Sequence, residues 1–235
     1  MKPGALDVLR AFGVVLGPVA LLDLAVGACV ASTARAVANR RRPPVTAVSG
    51  SAAAALYAAA GRSRMLSWGA TAEESRAPLP GDELVPDPGS QSTRAVTIEA
   101  PVEEVWPWLA QVGQDRGGFY SYEWLENLAG CRMHNADELH PEWQRRAVGE
   151  TVLLHHLHGL PVSLFEPQRV LGLAGWGSFV LEPAGDGRCR LIARGRTPRG
   201  LAALFGVVLM EIPHFVMERK MLLGVKTRAE RHARR

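Results

Sequence analysis

Apolar and polar positions follow three different rhythms along the chain. Residues 11–34 are apolar almost without a break, with Asp23 the only charge and Arg10 and Arg35 at the borders. From residue 93 the pattern changes to alternation, which runs to Glu99 in the manner of a half-buried strand. Pro101 then opens a helix on which Val102, Val105, Trp106 and Leu109 recur at i, i+3, i+4 and i+7. Residues 122–128 predict a second short helix, stopped by Gly130. Strand-length segments follow at residues 151–157, 162–166, 169–174, 176–181 and 188–194, with turn signals at Gly159-Leu160-Pro161 and Asp186-Gly187. In the last of these, Cys189, Leu191 and Ala193 alternate with Arg188, Arg190 and Arg194, which predicts a sheet with one wet face.

From about residue 201 to 230 the pattern is helical, and Pro213 is expected to kink it. Residues 201–210 are apolar nearly all round, as in a helix buried on most sides or touching membrane. Met210, His214, Met217 and Met221 then fall on one stripe. Such a stripe is ordinary core or the wall of a pocket that accepts irregular ligands. The whole predicts an α+β domain in which an antiparallel sheet of about six strands is covered by the C-terminal helix. Its bounds are residues 92–235, after an N-terminal anchor segment at 1–44 and a helical segment with a Pro-rich linker at 45–91.

The apolar run at 11–34 is long enough to span a bilayer, which takes about 20 residues. A central Asp costs about 2.5–3.5 kcal/mol against roughly 0.3–0.6 kcal/mol gained per strong apolar residue, so insertion is marginal. Asp23 would face a partner helix or an interface. A membrane anchor is the favoured reading, ahead of a buried or surface-lying helix and of a cleaved export signal. Val26-Gly27-Ala28-Cys29 resembles the end of a lipoprotein signal, but Asp7 and Asp23 argue against one. Arg35, Arg40, Arg41 and Arg42 outweigh Lys2 and Arg10, which places a tethered domain on the cytoplasmic side. Residues 45–60 read as a soluble or surface helix rather than a second span, because alanine inserts weakly. Residues 78–88, with four prolines, read as an extended connector.

Several separated motifs carry a family resemblance. The run from Ala100 to Trp106, Ala-Pro-x-Glu-x-Val-Trp, resembles the opening of the START-like, birch-pollen-allergen-like superfamily known as SRPBCC. GGFYSYEWLEN, HNADELHPEWQ and HFVMERKMLLGVK, with WGATAEE and LPGDELVPDP ahead of the first strand, resemble its actinobacterial polyketide cyclase/dehydrase-like branch. The resemblance covers about residues 68–231. It implies a helix-grip fold, a curved antiparallel sheet wrapped around a long C-terminal helix with a hydrophobic cavity between them. Members bind lipids, sterols, hormones or polyketides, and only some catalyse a reaction.

Charge and cysteines narrow the function classes. The net charge is +4, carried almost wholly by arginine and concentrated at Arg40-Arg41-Arg42 and residues 228–235. It is not interleaved with aromatics on a folded face, which argues against nucleic acid as a partner. Cys29, Cys131 and Cys189 are odd in number and widely spaced, giving neither a disulfide framework nor a zinc pattern. No phosphate loop, dinucleotide fingerprint or nucleophile motif occurs, and no cofactor is expected.

The aromatic and polar concentration from Phe119 to Trp143 marks the expected pocket. Candidate ligand-binding residues are Tyr120, Tyr122, Trp124, His134, Trp143, His156, His158, Phe205, Met210, His214 and Met217. His134, Asp137 and His140 recur at spacings of three, but loop hydrogen bonds account for them better than a metal does. The favoured function is a membrane-tethered domain that binds an apolar small molecule or lipid without catalysis. The alternative is a cyclase or dehydratase in which His156 or His214 abstracts a proton next to a carbonyl while a tyrosine hydroxyl, Tyr120 or Tyr122, stabilises the enolate. A third reading is an interaction module with a filled core and no cavity.

Overall fold

The computed structural model describes residues 28, 29, 31–39, 42, 44–56, 61–128 and 130–235. Its centre is a curved six-stranded antiparallel sheet: β1 (Pro88–Ile98), β2 (Thr151–His155), β3 (His158–Glu166), β4 (Val170–Leu173), β5 (Gly177–Pro183) and β6 (Cys189–Pro198). The strands lie in the order β1-β6-β5-β4-β3-β2, so β2 to β6 form a meander and β1 is added beside its last strand. Helices precede and interrupt it: α1 (Val45–Leu56), α2 (Arg62–Leu66), α3 (Ala72–Arg76), α4 (Val102–Ala110) and α5 (Glu123–Leu128). The 33-residue α6 (Leu201–Ala233) closes the chain and lies against the sheet, the helix-grip-like arrangement expected from sequence.

The main core fills the space between sheet, α4 and α6. Val102, Val105, Trp106 and Leu109 of α4 are all buried, as their helical spacing predicts. Arg146 satisfies the end of that helix, donating from Nε to the Ala110 carbonyl at 2.9 Å and from Nη2 to that of Val112 at 2.6 Å. On α6 the buried positions Met221, Leu222, Val225 and Ala229 form one stripe, packed on Ile98, Leu181 and Leu191 from the strands. Gly224 faces the Tyr120 backbone so closely that any side chain there would collide with its carbonyl. Pro213 sits inside α6, which continues as helix on both sides of it.

The face expected to be wet is covered. Leu79, Ala95, Val170, Val180 and Ile192 make a second apolar cluster with Ala70 and Leu164 beneath residues 66–85. Arg194 is buried there and donates from Nη2 to the carbonyls of Glu74 (2.8 Å) and Ala77 (2.9 Å). Arg190 pairs with Glu74 at 2.6 Å. Glu74 also completes a capping box with Thr71 at the start of α3, and the Arg190 hydrogen bond is the main reason its carboxyl titrates below the usual range. The Trp68 carbonyl accepts from Ala95 N at 3.0 Å, which pairs one position on the outer edge of β1. Where an extended connector was expected, Asp82–Leu84 form a 3-10 turn, and Arg196 donates to the Asp82 carbonyl at 2.6 Å.

Two further expectations are corrected. The second and third strands meet at His156 and Leu157, and Gly159-Leu160-Pro161 lies inside β3, where the Pro161 carbonyl accepts from Ala174 N at 2.9 Å. Proline fits because the amide hydrogen it lacks is not required by that bond. The membrane tether is also withdrawn, and with it the membrane as partner and the membrane-associated, cytoplasm-facing location. Among the described residues no helix is long and apolar enough to cross a bilayer. The 12 residues of α1 reach only about 18 Å, and charges from Glu211 onward interrupt α6. Most of the run at 11–34 lies outside the described residues.

Candidate functional site

Between the inner sheet face and the middle of α6 lies a cavity of about 250 Å³. Leu154, Leu160, Leu173 and Phe179 line it from the strands, and Trp176 from the turn between β4 and β5. From α6 come His214, Met217, Glu218 and Met221, and from the segment around α5 come Phe119, Ser121, Glu126 and Met133. Pockets for drug-sized ligands run to roughly 300–1,000 Å³, so this one suits a small, mostly apolar molecule.

Local hydrogen bonds fix the wall around α5. Tyr120 adopts a left-handed φ of 56° and donates its backbone N–H to Asn135 Oδ1 at 2.7 Å, while Asn135 Nδ2 reaches the Ser121 carbonyl at 3.2 Å. Asn127 makes the same two-sided bond with Met133, accepting from its N–H at 2.6 Å and donating to its carbonyl at 3.0 Å. Ser121 Oγ donates to the Met217 carbonyl at 3.0 Å and ties this loop to α6. Met133 and Glu126 are thereby held against the cavity.

The polar end of the site is built around His214. Its Nε2 accepts from the Trp176 indole N–H at 3.2 Å, and its Nδ1 faces Glu218 Oε2 at 3.6 Å and Arg94 Nη1 at 3.3 Å. Indole and guanidinium nitrogens only donate, and a neutral imidazole has one lone pair on nitrogen to receive them. With Nε2 unprotonated the ring receives the indole hydrogen and turns an Nδ1–H towards Glu218, while Arg94 Nη1, which also faces Nδ1, directs its hydrogen to Glu218 Oε2. Protonating Nε2 would set one N–H against another. Desolvation is the main cause holding the imidazole below its usual pKa, opposed by the Glu218 charge and reinforced by Arg94. The 38% of its side chain that stays accessible faces the walls of two cavities rather than open surface.

Arg94, 1% exposed on β1, binds Glu218 directly and donates from Nε to the Met65 carbonyl at 2.8 Å. It also lines the second cavity, about 230 Å³, with Ser90, Ser92, Arg196, Thr197, Glu211 and Met210. His214 and Trp176 belong to both cavities. Glu126 is the other ionisable group of the first cavity. Burial, assisted by the nearby Glu123 charge, pushes its carboxyl up to about 7.

The sequence candidates separate in space. His214 and Met217 line the first cavity and Met210 the second. Tyr120 is 1% exposed but turned into the core, where its hydroxyl donates to the Trp108 carbonyl at 3.0 Å and burial raises its pKa. Tyr122 lies beneath Lys220 Nζ, 5.7 Å from the ring centre. Trp124 is 68% exposed, and His134 is exposed against Glu123 at 3.3 Å. Trp143 stacks on His140 with ring centres 4.0 Å apart. His156 and His158 are exposed at the β2–β3 hairpin tip. The Phe205 side chain lies outside the described residues. Asp137 pairs with Arg228 at 2.9 Å, and among the described residues no group of three His, Cys, Asp or Glu side chains is placed to hold a metal.

Glu126, Glu218, Arg94 and Trp176 escape the sequence reading. For Glu218 a signal exists: it stands four residues after His214, an acid beside the methionine stripe. Arg94 shares the alternation of Val96 and Ile98, a charge on the inward face of a strand. Compared with known proteins, the chain matches no protein-family model and no curated protein.

Proposed function

We propose that this chain is a START-like domain that binds one apolar small molecule in the cavity between sheet and α6. The observation that carries the reading is the cavity wall, in which leucines, methionines and aromatics from five elements converge around a few polar side chains. The same arrangement weakens the acid–base alternative. His156 is at an exposed hairpin tip, the Tyr120 hydroxyl is spent on a core carbonyl, and both ring nitrogens of His214 are occupied. A general base needs a free lone pair within reach of the substrate proton. The cavity itself speaks against an interaction module with a filled core.

Native mass spectrometry of the full chain tests the proposal. An apolar adduct on the wild-type protein that is absent from a folded Met217→Glu variant is expected. Identical adducts on both proteins would place the ligand elsewhere.

A further inference from the structure

Given that the first cavity is a ligand site, the second supplies it with a polar extension. His214 and Trp176 line both, so the two spaces adjoin at that pair. At about 250 and 230 Å³, each is smaller than the roughly 300–1,000 Å³ of a drug-sized pocket, and together they fall within that range. Their walls differ. The first is mostly leucine, methionine and phenylalanine, whereas Ser90, Ser92 and Thr197 bring three hydroxyls to the second. These come from adjacent positions of two paired strands, Ser90 opposite Thr197 and Ser92 opposite Gly195, on the face of β1 that carries Arg94.

The hydroxyls are uncommitted. Ser92, only 8% exposed, and Thr197 have no side-chain hydrogen-bond partner among the described residues, and both oxygens stay accessible in the cavity wall. Ser90 Oγ accepts from Arg62 Nη2 at 3.2 Å and keeps its own proton to donate. Gly195 leaves the space in front of them open, since a Cβ there would stand 2.8 Å from Ser92 Oγ. Buried polar groups are nearly always paired, so hydroxyls left free in a cavity wall await a partner. The charges beside them are already matched, Arg94 by Glu218 and Glu211 by Arg62 at 2.9 Å. An added ion would find no unbalanced counter-charge there to offset its desolvation. We infer that the ligand spans both cavities, with its apolar body in the first and a neutral, hydroxylated end in the second, hydrogen-bonded by Ser92 and Thr197.

The test uses 1-O-octylglycerol, octyl propyl ether, 3-octyloxypropanoate and 3-octyloxypropylamine as displacers of a fluorescent apolar probe from the full-length protein. The glycerol ether differs from octyl propyl ether only by its two hydroxyls, and the other two carry a charge at that end. The double variant Ser92→Ala, Thr197→Val should weaken octylglycerol about tenfold and leave octyl propyl ether within about twofold, because only the diol loses hydrogen bonds. In the wild-type protein octylglycerol should bind about tenfold or more tighter than either ion. Met217→Glu, in the first cavity, should abolish binding of octylglycerol and of the ether alike. Unchanged octylglycerol affinity in the double variant, while the ether still binds, would overturn the inference and leave water as the partner of the hydroxyls. An equal loss for the ether would overturn it as well, by making the effect one of packing. So would either ion binding as tightly as the diol, or octylglycerol binding that survives Met217→Glu. Failure of every compound, the ether included, would remove the cavity reading itself and this inference with it.

Discussion

Trp176 Nε1 donates to His214 Nε2 at 3.2 Å, and this one bond joins the two side chains common to both cavities. Its donor comes from the turn before β5 and its acceptor from the middle of α6. A bond between sheet and helix at this point sets the wall against which an apolar ligand rests. It also fixes the histidine as neutral.

Acid should therefore weaken the fold through His214. Burial holds the folded imidazole below the unfolded value of 6.5. Its contribution is whole above that pH and is lost as pH falls below it, because the unfolded chain takes up the proton more readily. Melting temperatures from pH 8 to pH 5 should fall more steeply for wild type than for His214→Asn. His155, also held low by burial, is present in both proteins and cancels in the difference. Equal acid sensitivity would contradict an imidazole held neutral by burial in the folded protein.

Glu126 should act in the opposite direction. Its carboxyl is raised from 4.5 to about 7, so ionising it costs stability progressively as pH rises through that interval. Glu126→Leu should stabilise the free protein by about 1–3 kcal/mol at pH 8, and much less at pH 4, where the carboxyl is neutral in both states. Denaturant unfolding at the two pH values measures this.

The Arg94–Glu218 pair lies where water cannot replace either partner. Arg94→Met or Glu218→Leu alone should cost about 3–5 kcal/mol, since each leaves a buried charge uncompensated, while the double variant should cost clearly less than the sum. A double-mutant cycle with no coupling would show that the pair does not act as a unit.

Residues 62–91 should behave as part of the folded unit. Arg194 takes its acceptors from Glu74 and Ala77, and Ala95 takes one from Trp68. Deleting residues 1–61 should change the melting temperature little. Deleting 1–91 should bare the cluster around Ile192 and give an aggregating or unfolded product, whereas a stable product would contradict the role given to that segment.

What the sequence reveals and conceals follows from the range of the interactions involved. The α4 stripe and the alternation of Cys189, Leu191 and Ala193 are local patterns, and they read directly. Arg190 and Arg194 look like a wet face because their partners lie more than 100 residues away, as the separations of 116 and 120 to Glu74 show. The aromatic concentration at 119–143 signals residue type but not direction. Its neighbour Phe119 lines the cavity, yet the positive φ of Tyr120 sends that ring into the core instead. Helical spacing does carry direction, and it brings out Met217 and His214. Nothing local distinguishes Glu126 from a surface acid on a short helix.

The central claim is that one apolar molecule sits against α6. Titrating the full-length protein with a fluorescent apolar probe should give saturable binding at a stoichiometry of one. Met217→Glu, which introduces a charge into the wall without a partner, should abolish that binding while circular dichroism still reports the fold. Wild-type affinity in the folded Met217→Glu variant would contradict the account.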